Sequence, residues 1–240
     1  MYHPKQLLQQ IDKLETKAQL DALRAGEAAL YRKSLYLTAK YLLGYSEVNW
    51  RTHGEMIQVL EGPEKRKLVV MPRGTFKTSV AVVAYALWRW MNDPNIRIVI
   101  DSELFTNSKR TLREIALHLQ SEKMVDLFGE TKGDGVWNET EILCAQRTSI
   151  KKEATFTCSG MGAQKTGQHY QLAILDDMNS PQNSNTSENR QKVIDHYRYY
   201  QSILDPGGEL VIVGTRYHED DILGYCLKNE IFLRDEVLLD

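Results

Sequence analysis

The sequence predicts an α/β fold built as three α/β/α layers, with a mostly parallel sheet and a helical N-terminal extension. Two observations lead to this prediction. After Gly44, short apolar runs rich in Val, Ile and Leu alternate with amphipathic stretches, and such runs are typical of parallel strands covered on both faces. Before Gly44, apolar residues recur at helical spacing. The 240 residues therefore divide into an extension over 1–44 and one domain over 45–240.

The individual elements follow from the same patterns. Residues 5–43 are predicted to be helical, with an interruption at Gly26. The predicted strands are 68–71, 96–100, 154–158, 171–175 and 209–213, and segment 140–145 is expected to form a hairpin with the third of them. The predicted helices are 77–91, 106–120 and 187–203. The first and last of these end at the stop signals Asn92-Asp93-Pro94 and Asp205-Pro206-Gly207-Gly208.

Composition excludes several classes of protein. With 42% hydrophobic and 26% charged residues, the chain is neither disordered nor low in complexity. No apolar run approaches the roughly 20 residues of a membrane span, and the first residues lack a secretion signal, so we expect an intracellular protein without a membrane partner. The net charge of −2 does not itself indicate a nucleic-acid partner. Cys144, Cys158 and Cys226 lack metal-site spacing and are expected to pack as small hydrophobes.

A candidate phosphate loop, residues 71–79, joins the strand at 68–71 to the following helix. A strand, a loop and a helix N-terminus together form an anion site, in which Lys77 would contact phosphate and the Thr78 hydroxyl would ligate Mg²⁺. Met71 and Phe76 stand where the usual motif has glycines. An ordinary βα turn is the alternative. The residues predicted to contact nucleotide are Pro72, Arg73, Gly74, Thr75, Phe76, Lys77, Thr78 and Ser79.

Two carboxylates follow the strand at 171–175. Asp176 would hold Mg²⁺, and Asp177 would orient and deprotonate a water as general base. An ordinary strand-end turn is the alternative for this pair. The residues between Lys77 and Asp176 leave room for a further helix, strand, helix and hairpin. This layout is typical of ATPases with an additional strand between the two motifs.

A third strand, 209–213, ends in the sequence GTRYHEDD. A small residue and a hydroxyl at this position, Gly214 and Thr215, would sense the γ-phosphate. Arg216 would stabilise phosphate charge. A solvated loop of mixed charge is the alternative.

The segments MPRGTFKTS, LAILDDMN and VIVGTRYHEDD, in this order and spacing, resemble the phosphate loop, acidic motif and coupling motif of the ATPase domain of tailed-phage large terminases. The segment 50–57 resembles the one that borders adenine in that family, with Trp50 as a residue that could stack on the base or pack in the core. The resemblance covers roughly 45–225. It implies a P-loop NTPase fold, RecA-like and of the additional-strand type, with ATP and Mg²⁺ as cofactors.

The resemblance also implies a function. It is that of an ATP-driven translocase of double-stranded DNA, working as a homo-oligomeric ring on the portal protein of an empty capsid in the host cell cytoplasm. A small terminase subunit would select the DNA. Full-length members carry a C-terminal nuclease domain, and because the sequence stops at Asp240, we expect no DNA cleavage and weak ATP hydrolysis from this chain.

Carried over residue by residue, Lys77 matches the phosphate-loop lysine, Thr78 the Mg²⁺ hydroxyl, Arg73 the early basic residue and Asp176 the metal ligand. Asp177 stands where many members have glutamate, and its carboxylate reaches one methylene less. Terminases also supply an arginine to a neighbouring subunit. Here the corresponding stretch 161–167 has only Lys165, a less suitable point charge, and Arg147 and Arg216 are the other candidates.

Two other functions remain open at this point. A helicase-like translocase usually needs a second ATPase-like domain, and a nucleotide-gated assembly module would account for the altered glycines and for the Asp at the base position. Basic residues that could touch DNA phosphates, or simply face solvent, are Lys109, Arg110, Arg113, Lys151 and Lys152.

Overall fold

The computed structural model describes residues 4–163, 167–229 and 237–238. Its helices are α1 (Pro4–Lys33), α2 (Leu35–Leu37), α3 (Trp50–Glu61), α4 (Tyr85–Asn92), α5 (Phe105–Leu119), α6 (Glu122–Phe128), α7 (Pro181–Ser184), α8 (Ser187–Ile203) and α9 (Ile222–Lys228). Its strands are β1 (Arg66–Val70), β2 (Ile98–Ser102), β3 (Lys132–Trp137), β4 (Glu141–Cys144), β5 (Phe156–Gly160), β6 (Tyr170–Asp176), β7 (Leu204–Gly214) and β8 (Val237–Leu238). Thr38–Leu42 and Ser79–Ala84 are π-helical.

The strands form one sheet in the order β3-β4-β5-β2-β6-β7-β1-β8. From β5 to β8 every neighbouring pair is parallel. β4 is antiparallel to both β3 and β5, which confirms the predicted hairpin through the pairs Glu141 with Thr157 and Ile142 with Phe156. The sheet is therefore mostly parallel, with an antiparallel edge. β7 lies between β1 and β6, although it follows both in the chain.

Successive residues of β6 show that helices cover both faces of the sheet. Leu172 and Ile174 join a hydrophobic cluster with α3, the 79–92 helix, α5 and α6, whereas Ala173 and Leu175 join a second cluster with α8 and α9. Because adjacent side chains of a strand point to opposite faces, these two clusters are the two sides of one sheet. The α/β fold with a mostly parallel sheet is confirmed, and the arrangement is compatible with three layers.

The N-terminal helical region differs from its prediction at the point of interruption. Gly26 lies inside the continuous helix α1, so the predicted break there is wrong. The break is at Ser34, whose extended backbone and side chain cap α2 through the amide of Leu37 (3.3 Å). A hydroxyl that accepts from a backbone amide competes with continuation of the preceding helix. Beyond this point Leu35 and Ala39 are fully buried with the core of the main domain.

Several other boundaries moved. β2 begins at Ile98 and β5 at Phe156, each slightly later than predicted. Helix α8 ends at Ile203, just before the predicted stop signal Asp205–Gly208, but that signal itself lies in β7, which begins at Leu204 and has an irregular register against β6. Six elements had no prediction: α3, α6, α7, α9, β3 and β8. β3 is almost entirely exposed and contains two glycines, so it carries neither an apolar run nor an alternation.

The three cysteines are buried, as expected of small hydrophobes. Burial raises the pKa of the Cys144 and Cys226 thiols to about 12. Among the described helices, none is both long enough and apolar enough to cross a membrane.

Candidate functional site

The sheet brings the three predicted motifs to one edge. β1, β7 and β6 are neighbours and parallel, so their carboxyl ends lie side by side. The candidate phosphate loop follows β1, Asp176 is the last residue of β6, and Gly214 is the last residue of β7. Clefts at this edge are where open α/β sheets bind ligands.

The candidate phosphate loop is attached to β7 at its start. The amide of Met71 donates to the carbonyl of Gly214 (3.1 Å), and the Thr215 hydroxyl donates to the carbonyl of Met71 (3.0 Å). Met71 is buried. It therefore acts as an extension of β1 into the core, which accounts for an apolar residue where the usual motif has glycine.

The middle of the loop has a left-handed backbone at two residues. Gly74 has φ of +80° and Phe76 has φ of +56°. Glycine adopts this region without cost, whereas a residue with a Cβ is strained there by about 1–2 kcal/mol. Phe76 therefore adopts the conformation for which the usual motif has glycine. Between them, the Thr75 hydroxyl donates to the carbonyl of Pro72 (2.8 Å) and closes the turn.

Helical backbone begins at Lys77. The first amides of a helix have no intrahelical acceptor and, with the helix dipole, favour an anion. Pro72, Arg73, Gly74 and Phe76 are exposed, and Thr75, Thr78 and Ser79 are half-buried. The loop therefore presents its outer surface to solvent, while Lys77 is turned inward.

Lys77 is a buried cation that faces a carboxylate. Its side chain is 6% exposed, and its Nζ lies 3.4 Å from Oδ2 of Asp177, which is 39% exposed. The pair is open on the carboxylate side. An anion that entered from solvent could therefore compete with Asp177 for the lysine.

Thr78 and Asp176 also meet, as their predicted roles require. The Thr78 hydroxyl donates to Oδ1 of Asp176 (3.1 Å). Burial and the neighbouring charge of Asp177 raise the pKa of Asp176 to about 7, against the lowering effects of Thr78 and Lys77. A raised pKa means that the ionised form of this carboxylate is destabilised by burial, and a bound cation would stabilise it. One hydroxyl and one carboxylate are the hard oxygen donors that Mg²⁺ prefers.

Asp177 has a left-handed backbone too, with φ of +43°. Its amide donates to the carbonyl of Val213 (2.9 Å), which ties the turn after β6 to the end of β7. Asp and Asn tolerate this region better than other residues with a Cβ. The turn holds the carboxylate of Asp177 next to Lys77 and within reach of solvent.

Arg73 connects the candidate phosphate loop with the segment after β7. Its guanidinium lies over the ring of Tyr217, 5.4 Å from the centroid. Tyr217 is held by Asp221, whose Oδ2 accepts from the amides of Tyr217 (2.9 Å) and His218 (3.2 Å). Asp221 also caps α9 through the amide of Gly224. Asp221 therefore fixes the backbone of this turn, while Arg216, Glu219 and Asp220 remain exposed.

Trp50 lies at the start of α3 and is 51% exposed, so the alternative of a core position is wrong. Its indole packs over Gly54, where an added Cβ would stand 3.0 Å from the ring. Tyr36 meets it edge to face at 5.6 Å. The indole is thus oriented on both sides and keeps an exposed surface.

His53 contacts the candidate phosphate loop. It belongs to the segment 50–57 that resembles the adenine-bordering one, but sequence patterns alone assigned it no role of its own. It is buried, and its Nε2 lies 3.0 Å from the carbonyl of Thr75 in the candidate phosphate loop. Its position one helical turn after Trp50 was the only sequence signal for a role, and it could not identify Thr75 as the partner, because Thr75 is distant in sequence.

The candidates for a basic residue that acts on a neighbouring subunit are not brought to this edge together. Lys165 lies outside the described residues. Arg147 donates to the carbonyl of Glu153, which in turn pairs with Arg97 just before β2, so Arg147 lies at the opposite edge of the sheet. Arg216 is exposed beside the candidate site and donates to the carbonyl of Glu219 (3.4 Å).

The residues suggested for DNA contact are spread over two elements. Lys109 pairs with Glu139 on the surface, and Arg110 and Arg113 are exposed on the same helix α5. Lys151 and Lys152 are exposed in the connection between β4 and β5.

Comparison of the chain with models of protein families finds no match, and comparison with curated proteins finds no significant relative. Within the described residues, no group of three or more His, Cys, Asp or Glu side chains is arranged to hold a metal ion. The candidate site is therefore supported by its geometry alone.

Proposed function

We propose that this chain is a P-loop ATPase of the RecA-like, additional-strand type, and that it binds ATP with Mg²⁺ at the edge formed by β1, β7 and β6. One observation carries the proposal. After β1, Lys77 lies 3.4 Å from Asp177, which follows β6, and Thr78 lies 3.1 Å from Asp176, the last residue of β6. The two motifs are distant in sequence, and each had an ordinary turn as its alternative.

The order of the strands supports the same proposal. The residues between Lys77 and Asp176 include β2 and the antiparallel strands β4 and β5, and in the sheet β7, which follows both motifs in the chain, separates β1 from β6. Its end contributes the Gly214 carbonyl and the Thr215 hydroxyl to the start of the loop. A third motif therefore contacts the first, as a sensor of bound phosphate requires.

Each side chain has a role in this proposal. Lys77 leaves Asp177 and binds phosphate oxygens, and the amides at the start of the 77–92 helix bind the same charge. Thr78 and Asp176 hold Mg²⁺, which neutralises phosphate charge when it is bound. Asp177, released from Lys77 and open to solvent, orients a water and accepts its proton. Trp50 stacks on the base, Arg73 binds phosphate from the exposed side, and Ser79 and Thr215 border the phosphates.

We further propose that ATP hydrolysis drives double-stranded DNA into a viral procapsid, as in the large terminases that the motifs resemble. The partners would be the DNA, a portal protein, a small terminase subunit and further copies of this chain in a ring, in the cytoplasm of the host. Lys165 or Arg216 would act on the neighbouring copy. Greater stimulation of ATP hydrolysis by duplex than by single-stranded DNA would distinguish this motor from a helicase-like translocase.

The first test is nucleotide binding and turnover by two variants. Lys77→Ala should weaken the binding of a fluorescent ATP analogue about a hundredfold, because charged hydrogen bonds to phosphate are lost. Asp177→Asn should bind the analogue as well as the unaltered chain or better, yet release no phosphate, because the proton acceptor is gone. Binding is measured by fluorescence titration with Mg²⁺ and turnover by phosphate release.

Lys192→Ala and Asp195→Asn are matched controls on the exposed surface of α8, where each parent residue pairs within its own helix. Both should behave like the unaltered chain. Equal ATP binding by Lys77→Ala and the unaltered chain would refute the ATPase proposal. Because this chain is expected to hydrolyse ATP weakly, tight binding without phosphate release would indicate the nucleotide-gated module only if it persisted in the full-length assembled motor with DNA present.

A further inference from the structure

His53 occupies a fixed place between the start of α3 and the candidate phosphate loop. The side chain is 2% exposed. Its Nδ1 lies 3.2 Å from the amide nitrogen of Asn49 and 3.0 Å from the carbonyl oxygen of the same residue, while its Nε2 lies 3.0 Å from the carbonyl oxygen of Thr75. Both ring nitrogens are therefore engaged by backbone groups.

The direction of these hydrogen bonds follows from their partners. The tautomer with its hydrogen on Nε2 satisfies both ring nitrogens: Nε2 donates to the carbonyl of Thr75, which only accepts, and Nδ1 accepts from the amide of Asn49. Asn49 also caps α3 through the amide of Thr52 (2.9 Å). The ring is thus oriented by the helix start and points its one N–H at the loop.

The residue that receives this hydrogen bond lies between the two left-handed residues of the loop, Gly74 and Phe76. A strained backbone persists only where its surroundings determine it from several sides. The loop has an anchor to β7 at Met71 and is followed by the helix at Lys77. At its middle, His53 supplies an anchor from outside the loop.

We propose that His53 is a positioning residue, which holds the candidate phosphate loop in its nucleotide-binding conformation and links that loop to the base-stacking Trp50 one helical turn away. This inference rests on the proposed ATP-binding function. Without the hydrogen bond from Nε2, the turn at residues 74–76 relaxes and the amides that follow it no longer converge on phosphate. Affinity for the triphosphate falls, whereas the residues that act on bound ATP stay in place.

The test compares three variants: His53→Gln, His53→Asn and His53→Leu. The Gln amide nitrogen reaches about as far as Nε2 and can donate to Thr75, whereas the shorter Asn amide reaches about as far as Nδ1 and cannot. Asn and Leu should raise the Kd for Mg²⁺–ATP and the KM about tenfold, with a much smaller change in kcat. Gln should restore both to within about threefold. The affinity for adenosine, which has no phosphate, should change little in any variant.

Glu55→Ala, which alters an exposed residue of the same helix, is the control for general damage to α3. Equal Kd values for ATP in the Gln and Asn variants would overturn the inference, and this pair decides it even where the Leu variant fails to fold. An equal loss of affinity for ATP and adenosine would also overturn it. Failure of the proposed function is distinguishable, because the unaltered chain and Lys77→Ala would then bind ATP equally.

Discussion

The two edges of the sheet both hold buried charges, but they treat them differently. At the amino-end edge, the side chains of Lys67 and Glu209 are at most 5% exposed and lie 3.1 Å apart. At the carboxyl-end edge, the buried Lys77 faces Asp177, which is 39% exposed, across 3.4 Å. The first pair is closed to solvent on both sides, and the second is open on one.

The amino-end edge is saturated by partners from the protein itself. Lys67 donates to the carbonyl of Leu60 and to the Tyr85 hydroxyl, and Glu209 accepts from Lys67, Tyr85 and Arg89. Burial lowers the pKa of Lys67, and the Glu209 carboxylate acts in the opposite direction. Near the same edge, Arg97 pairs with both Glu153 and Asp205.

The carboxyl-end edge has strained backbone and a buried carboxylate that is not matched by a buried cation of its own among the described residues. The two residues other than glycine with a left-handed backbone in the described part of the chain, Phe76 and Asp177, are both here. Asp176 is buried with a raised pKa. Strain and uncompensated charge of this kind collect where a ligand completes the structure. The amino-end edge therefore contributes to stability, whereas the carboxyl-end edge has the strained backbone and partly open ion pair on which the proposed ATP site depends.

The largest effect on stability is expected from Glu209→Gln. The substitution keeps the shape of the side chain but leaves Lys67 and Arg89 without a counter-charge, and breaking a buried ion pair costs about 3–5 kcal/mol. Urea unfolding followed by circular dichroism measures the loss. ATP affinity measured under folding conditions should change little, because no residue of this cluster belongs to the candidate site.

The double variant Lys67→Met with Glu209→Gln is the control for this cluster. Since the unpaired lysine is removed, it should recover a large part of the lost stability, which a double-mutant cycle quantifies. A loss below about 1 kcal/mol in Glu209→Gln would contradict the view that this edge stabilises the fold.

The sequence predicts those parts of the comparison that depend on local patterns. The apolar run 172–175 within the predicted strand 171–175 predicts a buried strand, and the strand ends at Asp176, the first carboxylate of the predicted motif. The pairing of Lys67 with Glu209 was not predictable, because a charged residue within a strand pattern does not identify a partner on another strand. β3, with two glycines and exposed polar residues, has no apolar signal that could have revealed it.

The candidate site divides in the same way. Lys77, Thr78, Asp176 and Asp177 were identified because each motif lies at the end of a strand, and parallel strands end at one edge. The left-handed backbone of Phe76, the hydrogen bond from His53 to Thr75 and the stacking of Arg73 on Tyr217 depend on tertiary packing. No local pattern specifies these three features. The sequence showed only that Met71 and Phe76 stand where the usual motif has glycines.

Asp176→Asn tests the carboxyl-end edge through the pH dependence of the free energy of unfolding. Because the folded-state pKa of Asp176 is raised to about 7 from about 4 in the unfolded chain, its protonated form stabilises the fold below pH 4. That contribution is lost as the pH rises through 7. Asparagine is uncharged at every pH and can still accept from Thr78. Without Mg²⁺, the variant should therefore be more stable than the unaltered chain at pH 8, by up to about 4 kcal/mol.

Urea unfolding at pH 5 and pH 8 in the presence of a chelator measures this difference, which should be much smaller at pH 5. The same substitution at an exposed position, Asp195→Asn, is the control: because it keeps Asp176, its stability should differ from that of the unaltered chain by about the same small amount at both pH values. If Asp176→Asn and the unaltered chain lose stability in parallel between pH 5 and 8, the buried carboxylate is not the source of the slope.

The smallest expected effect concerns the strain in the candidate phosphate loop. At an ordinary loop position, alanine is about as stable as glycine or more so, because glycine has greater freedom in the unfolded chain. At Phe76, with φ of +56°, this order should reverse: Phe76→Gly should be more stable than Phe76→Ala by about 1 kcal/mol, since only glycine adopts the left-handed region without strain. Comparing these two variants cancels the loss of the half-exposed ring, which both lack.

Arg73, in the same loop but without a left-handed backbone, provides the matched pair Arg73→Gly and Arg73→Ala, in which alanine should be the more stable. Thermal unfolding of the four variants measures both differences, and the same order of stability at both positions would show that the loop is not strained at residue 76.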